Sequence, residues 1–410
     1  MGKNTTRTVI ITLAVVVLLI FLAYTFVPVV RYVFVPVTGG TKAPELASIQ
    51  EPNQESQLPA AGQEQSTITK ENDTAKQPSS ATNTVFSNAN GIVQSIEQVP
   101  ENGGWINTAP LDLKELQKQN KYVLIDFWTY TCINCIRETP YTQELWDRYK
   151  DHGLVIIGVH SPEFDIERVP KSIYAAMKKA NITYPVWTDA DMIIWDKFGN
   201  HFWPGKYLIS PQGKVVYTQF GEGNYDGEEQ TIRKYLSEAK WILPDYGATT
   251  RFLEPVNKEV TPELYAGPGF LREAYGNSEQ PHIGTVTTFT LPEKIDANKI
   301  YLDGTWSATH DYMQSESDGK IVLNYIANAP YIVLGKKDVP VTVEVQLDGK
   351  LIPDGFVGKD IIKKDGKTSI IIDEPRLYYP INDLAAYGRH TITFLTPQGL
   401  RFYSFTFGVY

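Results

Sequence analysis

The chain has 410 residues, 42% of them apolar and 12% aromatic, enough for two cored domains with segments to spare. A formal charge of −9 with no basic patch excludes the electrostatic footprint of a nucleic-acid binder. The mild acidity reads as a solubility property.

The N-terminus does not read as globular. Val9 to Val30 carries no charge and would span about 33 Å as a helix, enough to cross a bilayer core. Lys3 and Arg7 precede it and Arg31 follows. The run is long for a signal-peptide core, with no small-residue cleavage site close behind and no lipobox cysteine. The expectation is an uncleaved single-pass anchor (1–37), N-terminus inside, with the rest extracytoplasmic at the cell membrane. A cleaved signal peptide is the alternative. The next stretch, 38–100, is rich in Gln, Ser, Thr, Asn, Pro and Glu, with no aromatic between Phe34 and Phe86. Such a composition cannot offset its ordering entropy and predicts a flexible linker.

Residues 101–243 alternate strand-like and helix-like runs. Strands are expected at 122–128, 154–159, 184–187, 206–210 and 214–220, and helices at 111–119, 136–149, 170–179, 191–198 and 227–238. Strands alternating with helices and closed by a hairpin indicate βαβ units of the thioredoxin-like kind. The only two cysteines, Cys132 and Cys135, lie between the first strand and a helix-competent stretch. At a helix start, backbone N–H groups and the dipole face the first sulfur. Cys132 is therefore expected to ionise more readily than a free thiol, and to be the exposed attacking nucleophile. Cys135, one turn on, would resolve the mixed disulfide. Structural zinc would need more Cys or spaced His ligands, and a structural disulfide this short would stabilise little. No metal and no cofactor are expected. Asp126 precedes Cys132 by six residues in an apolar strand, where alternation points it inward and burial raises its pKa. Glu138 shares a helix face with Cys135 at i, i+3.

From 244 to 410 short alternating runs recur, at 283–291, 304–310, 321–326, 331–334, 341–347, 368–372, 390–395 and 402–407, split by turns such as Asp348-Gly349-Lys350. No convincing helix is present. The pattern predicts an all-β sandwich, jelly-roll-like.

The segment Phe127-Trp-Thr-Tyr-Thr-Cys-Ile-Asn-Cys-Ile-Arg-Glu-Thr-Pro140 resembles the thioredoxin-like extracytoplasmic part of DipZ-type proteins, within the TlpA/ResA group. Gly158-Val-His-Ser-Pro-Glu-Phe164, Gly199-Asn-His-Phe-Trp-Pro-Gly-Lys-Tyr-Leu208 and Phe220-Gly-Glu-Gly-Asn-Tyr225 fit the same group. More loosely, Thr261-Pro-Glu-Leu-Tyr265 and Phe405-Thr-Phe-Gly408 are similar to the family's C-terminal domain, which is jelly-roll and carbohydrate-binding-module-like. The resemblance implies a thiol–disulfide oxidoreductase of reductase character acting on protein disulfides. It makes Asp126 the buried acid beneath the second cysteine and gives Glu138 an acid–base part in the site. It makes Pro140 the proline of the first helix, and Pro204 the cis-proline beside which the substrate chain pairs. Trp128 and Trp203 would flank the cysteines as apolar platforms for substrate. DipZ-type chains also carry a CcdA-like multi-helix electron-transfer domain. With one expected span here, electrons would come from a separate CcdA-like membrane protein, or the chain would work in the oxidising direction.

Two other functions compete. A thiol peroxidase would carry Pro-x-x-x-Thr/Ser-x-x-Cys; Thr129 fits, but the proline place holds Ile125. A surface glycan-binding protein would use the β-domain, with Tyr265, Tyr275, Tyr301, Trp306, Tyr312, Tyr325 and Tyr331 as sugar platforms on a thioredoxin-like scaffold. The bland reading places most of these rings in the core.

Overall fold

The first sheet begins with a strand absent from the sequence reading, β1 (Trp105–Ile106), both of whose side chains are buried. The chain continues through α1 (Leu113–Lys118), β2 (Tyr122–Trp128), α2 (Ile133–Tyr149), β3 (Leu154–His160), α3 (Pro170–Lys179), β4 (Val186–Thr188), α4 (Ile193–Phe198), β5 (Gly205–Ile209), β6 (Val215–Phe220) and α5 (Tyr225–Glu238). This computed structural model describes residues 104–247, 252, 255–270 and 274–409. The expected anchor and linker lie outside the described residues. Among the described residues no helix is long and apolar enough to cross a membrane.

Strand order is β1-β4-β3-β2-β5-β6. β2, β3 and β4 run parallel, while β1, β5 and β6 run antiparallel to their neighbours. Every residue of β2 and β3 is buried, as continuous apolar strands covered on both faces require. This is a thioredoxin-like sheet. The helix starts follow local chemistry. Asp112 caps α1 by accepting from the Lys114 N–H at 2.8 Å, and Pro170 opens α3 at its first turn. α4 stops at Gly199, left-handed at φ +56°, which satisfies its last carbonyls. Several boundaries differ from expectation by one to three residues, and two of them have a plain cause. α2 starts at Ile133 rather than 136, because Cys132 itself is its N-cap. β4 spans Val186–Thr188 rather than 184–187, since it begins only after Pro185.

The C-terminal part adds β7 (Leu264–Tyr265), β8 (Val286–Phe289), β9 (Ile300–Ala308), β10 (Met313–Ser315), β11 (Gly319–Ala327), β12 (Ala329–Lys336), β13 (Val341–Leu347), β14 (Lys350–Leu351), β15 (Ile362–Lys364), β16 (Lys367–Ile372), β17 (Arg376–Tyr378), β18 (Gly388–Thr396) and β19 (Leu400–Gly408). One layer runs β15-β16-β13-β18-β11 and the other β10-β19-β12-β17, joined through β9. Residues 300–303 of β9 pair with β11, and from Gly304 onward it pairs with β8 and β10. Gly304 takes φ +88°, and a Cβ there would stand 2.8 Å from the Asp318 carbonyl oxygen, so the turn between layers needs glycine. The core lies between the layers, where Phe394 of β18 meets Phe405 of β19. The expected strand at 283–291 shrinks to β8, and the one at 304–310 begins at Ile300. The strands β7, β10, β14, β15 and β17 were not read, being only two or three residues long. Both sheets belong to one compact unit.

Candidate active site

β2 carries Trp128 to the sheet edge, and Thr129–Thr131 turn the chain into α2. Thr131 is fixed from outside this segment. Glu167, fully buried, accepts from the Thr131 N–H at 3.2 Å and its hydroxyl at 2.5 Å, and from the N–H groups of Glu163 at 2.7 Å and Phe164 at 3.0 Å. Cys132 therefore leaves a tethered loop. Its sulfur accepts from the Cys135 N–H at 3.2 Å, as the helix-start reading requires, and faces the Trp203 carbonyl at 3.7 Å. The two free thiols stand 2.7 Å apart, with Cys132 half-buried and Cys135 2% exposed.

One expectation is corrected here. Burial pushes the Cys132 thiol up, against the opposing pull of its hydrogen bonds with Cys135, and the charges of Glu263 and Glu163 push the same way. Desolvation outweighs the helix start. Burial raises Cys135 further, followed by its contact with Cys132, and the Asp126 charge adds to it.

The Trp203–Pro204 bond is cis. Trp203 donates its indole N–H to the Ser161 carbonyl at 3.0 Å and stacks on Trp195 at 4.1 Å. It lines the cleft over Cys132. Trp128, expected as a second platform, is instead 4% exposed. It packs beneath the site with Cys135 and edge-on to His160 at 4.9 Å, because β2 is covered on both faces.

Below Cys135 lies a buried ionic cluster. Asp126 of β2 sits opposite Lys206 of β5 in the sheet register. The Lys206 ammonium donates to Glu138 of α2 at 2.9 Å and to both oxygens of Glu228 of α5 at 3.2 and 3.3 Å. All four side chains are almost wholly buried. Burial lifts Asp126 to about 6, with Lys206 opposing and Glu228 assisting. Burial lifts Glu138 to about 8 in spite of Lys206, and lifts Glu228 as well. Burial disfavours the Lys206 ammonium, but its carboxylate neighbours overcome that and hold it charged. Three carboxyls around one cation cannot all ionise cheaply, so the cluster keeps a proton near neutral pH. Asp126 and Glu138 were expected at the site. Lys206 and Glu228 were missed, although a lysine alternating inward in the strand after Pro204 was a usable signal.

The mouth above Cys132 is a cleft of about 200 Å³. Asn134 and His201–Trp203 form one side, and Glu263, Tyr265 and Thr406 of the β-domain form the other. The Tyr265 hydroxyl lies between two carboxylates, in contact with Glu163 and 2.9 Å from Glu263. Tyr275, Tyr301, Trp306, Tyr325 and Tyr331 are buried and Tyr312 half-buried, so these rings are core rather than sugar platforms.

The family pattern described as AhpC/TSA family matches residues 101–218, and that described as thioredoxin like C-terminal domain matches 261–408. Protein DipZ of Mycobacterium tuberculosis is 39% identical over 255 residues, covering 60% of this chain and 35% of that protein. The chain thus spans about a third of that relative's length. The thiol-disulfide oxidoreductase ResA of Bacillus thuringiensis is 31% identical over 124 residues, 30% of this chain and 68% of ResA. A thiol-disulfide isomerase structure from Corynebacterium glutamicum, 20% identical, matches with a TM-score of 0.30 over 33% of this chain and 93% of its own.

Proposed function

The chain belongs to the DipZ/TlpA-like thioredoxin-like proteins, and we propose that it is a thiol–disulfide oxidoreductase whose Cys132 and Cys135 carry the chemistry in the reducing direction. The observation that carries this reading is the layering of the pair. Cys132 lines the cleft, and Cys135 lies beneath it at 2.7 Å, above a carboxyl cluster in which Asp126, lifted to about 6, is free to take a proton at neutral pH while Glu138, lifted to about 8, keeps one. The Cys132 thiolate attacks one sulfur of a protein disulfide; the substrate S–S bond breaks and the released thiolate takes a proton. Cys135 then gives its proton to the cluster and attacks the Cys132 sulfur, so the substrate leaves as a dithiol and Cys132–Cys135 closes as a disulfide. Two electrons pass to the substrate. A dithiol donor must return them, and a CcdA-like membrane electron donor fits that part.

The reducing direction is supported by the thiol chemistry. Strong oxidants of this kind stabilise their reduced form through a low-pKa thiolate, whereas burial pushes Cys132 up. The uncharged run from Val9 to Val30 supports an anchored, extracytoplasmic placement. With dithiothreitol as donor, the full chain should reduce a protein disulfide. Cys132→Ser should abolish this and Cys135→Ser should accumulate a mixed disulfide visible by mass; full turnover by Cys132→Ser would falsify the assignment. The pair's potential should lie nearer about −270 mV than about −120 mV. The AhpC/TSA match favours one second reading, a thiol peroxidase. Consumption of peroxide faster than reduction of protein disulfide would establish it instead.

A further inference from the structure

The β-domain does more than sit beside the redox site. Ile133, the residue directly after the nucleophile, is 2% exposed and packs in the β-domain's core, with Ile136 one turn on packed against the same core. An uncovered helix start would leave these side chains facing water. The cover is pinned at two further points. Phe164, 1% exposed, inserts among the rings of Tyr265, Phe270 and Tyr403 at 6.1, 5.5 and 5.5 Å. The Asp165 N–H donates to the Asp311 carboxylate at 2.6 Å. Glu167 then links this same loop to Thr131, so the roof and the nucleophile's loop form one tethered assembly.

What remains open is the cleft of about 200 Å³ between Trp203 and the wall of Glu263, Tyr265 and Thr406. That is below the roughly 300–1,000 Å³ of sites that engulf a whole small molecule. It suits one side chain entering with its backbone outside. Beside the mouth, Phe202 is 49% exposed and Phe220 44% exposed, stacked on each other at 5.0 Å. This is a paired apolar surface next to the opening, large enough to receive one flanking side chain.

We propose that the β-domain selects the substrate: Cys132 is reached only by a cysteine on an extended segment, one strand wide, with an apolar residue beside it that rests on Phe202 and Phe220. A disulfide lying flush in the surface of a folded protein meets the wall of Tyr265 and Thr406 before it meets the sulfur. The proposal rests on the assignment of Cys132 as nucleophile. In each turnover the substrate disulfide takes up two electrons and two protons, while Cys132 and Cys135 form one S–S bond.

The test uses the reduced full chain and two probes. One is a flexible peptide closed by a disulfide with Phe beside one cysteine, and the other is a folded domain bearing a disulfide flush with its surface. Their oxidation of the chain is followed by stopped-flow fluorescence. The peptide should react faster by about tenfold or more, the scale on which steric fit discriminates. Tyr265→Ala should narrow that gap by speeding the folded probe, Thr406→Phe should slow the peptide, and Phe202→Ser should remove the advantage of Phe over Ser beside the cysteine. Cooperative unfolding of each variant shows that it is folded; Thr406→Phe and Phe202→Ser carry the test if Tyr265→Ala is not. Equal rates for the two probes, or ratios unmoved by the folded variants, would overturn the proposal. A small aromatic disulfide separates the two levels. Failure of the wild-type chain to form a Cys132 adduct with it sinks the nucleophile assignment. A Cys132 adduct without selectivity sinks only the selector.

Discussion

The floor beneath Cys135 and the roof above Cys132 are both rich in carboxylates, yet they are built on opposite terms. In the floor, Asp126, Glu138 and Glu228 surround one lysine in a site closed to water, and burial is the leading cause of every carboxyl's upward shift. In the roof, Glu163 and Glu263 flank the hydroxyl of Tyr265 at the edge of an open cleft. Burial and the neighbouring carboxylates raise the Tyr265 hydroxyl far above its ordinary range, so it remains a proton donor at every working pH. In the proposed reaction the floor handles protons because its charges cannot be solvated, and the roof governs entry because it is packed and hydrogen-bonded around the cleft. The difference teaches that the same residue type serves acid–base chemistry or shape according to the access of water.

The comparison breaks most sharply at Lys206. Lys206→Met leaves three buried carboxyls without their cation, and removing one partner of a buried ionic group costs about 3–5 kcal/mol. Urea unfolding at pH 8 should show a loss on that scale, partly recovered at pH 5, where Asp126 and Glu138 are neutral. A loss under about 1 kcal/mol would mean that the floor is hydrated. The next effect concerns Glu138. Asp126 and Glu138 hold their protons more tightly folded than unfolded, so this stabilisation is complete below about pH 4. It is lost as pH rises through about 6 and then about 8. Wild-type stability should therefore fall by about 2 kcal/mol or more between pH 5 and 8. Glu138→Gln should flatten the upper part of that fall; an unchanged slope would place the proton elsewhere.

A smaller effect tests whether the floor serves the reaction. Asp126→Asn keeps size and hydrogen bonding but cannot accept the Cys135 proton. Release of the mixed disulfide should slow about tenfold at pH 7.5, a modest share of what general-base catalysis supplies. The rise in rate through about pH 6 should disappear with it. A rate–pH profile like the wild type's would reduce Asp126 to a packing residue.

Half of the floor was legible in sequence, because β2 announces itself by an apolar run that Asp126 interrupts at an inward position. Glu138 followed from its helical phase with Cys135. Lys206 and Glu228 were not legible as partners: one lies on a strand and the other on a helix some 20 residues later, and only the folded sheet brings them to Glu138. The roof was less legible still. Tyr265 reads as one aromatic among several, and nothing in the sequence singles out Ile133. They share one apolar core although they lie more than 100 residues apart, and neither periodicity nor composition carries a signal for that. The direction of the Cys132 shift failed for the same reason. The helix start is local and visible in sequence, whereas the covering layer that desolvates the sulfur is not.

The smallest expected effect tests whether the roof also acts electrostatically. Tyr265→Phe keeps the ring stacked on Phe270 at 4.4 Å and removes only the hydroxyl between Glu163 and Glu263. Packing should be retained, with a stability loss of about 1 kcal/mol for the hydrogen bond. The two carboxylates that already push the Cys132 thiol up would lose a donor that tempers their charge. The thiolate fraction at pH 7.5 should fall, and alkylation of Cys132 by iodoacetamide should slow about two- to threefold, with its pH midpoint displaced upward. Cys135, buried beneath, serves as the internal reference within the same sample, since its reactivity should not change. A midpoint displaced downward would show that Tyr265 itself, rather than the carboxylates it bridges, holds the thiol in its neutral form.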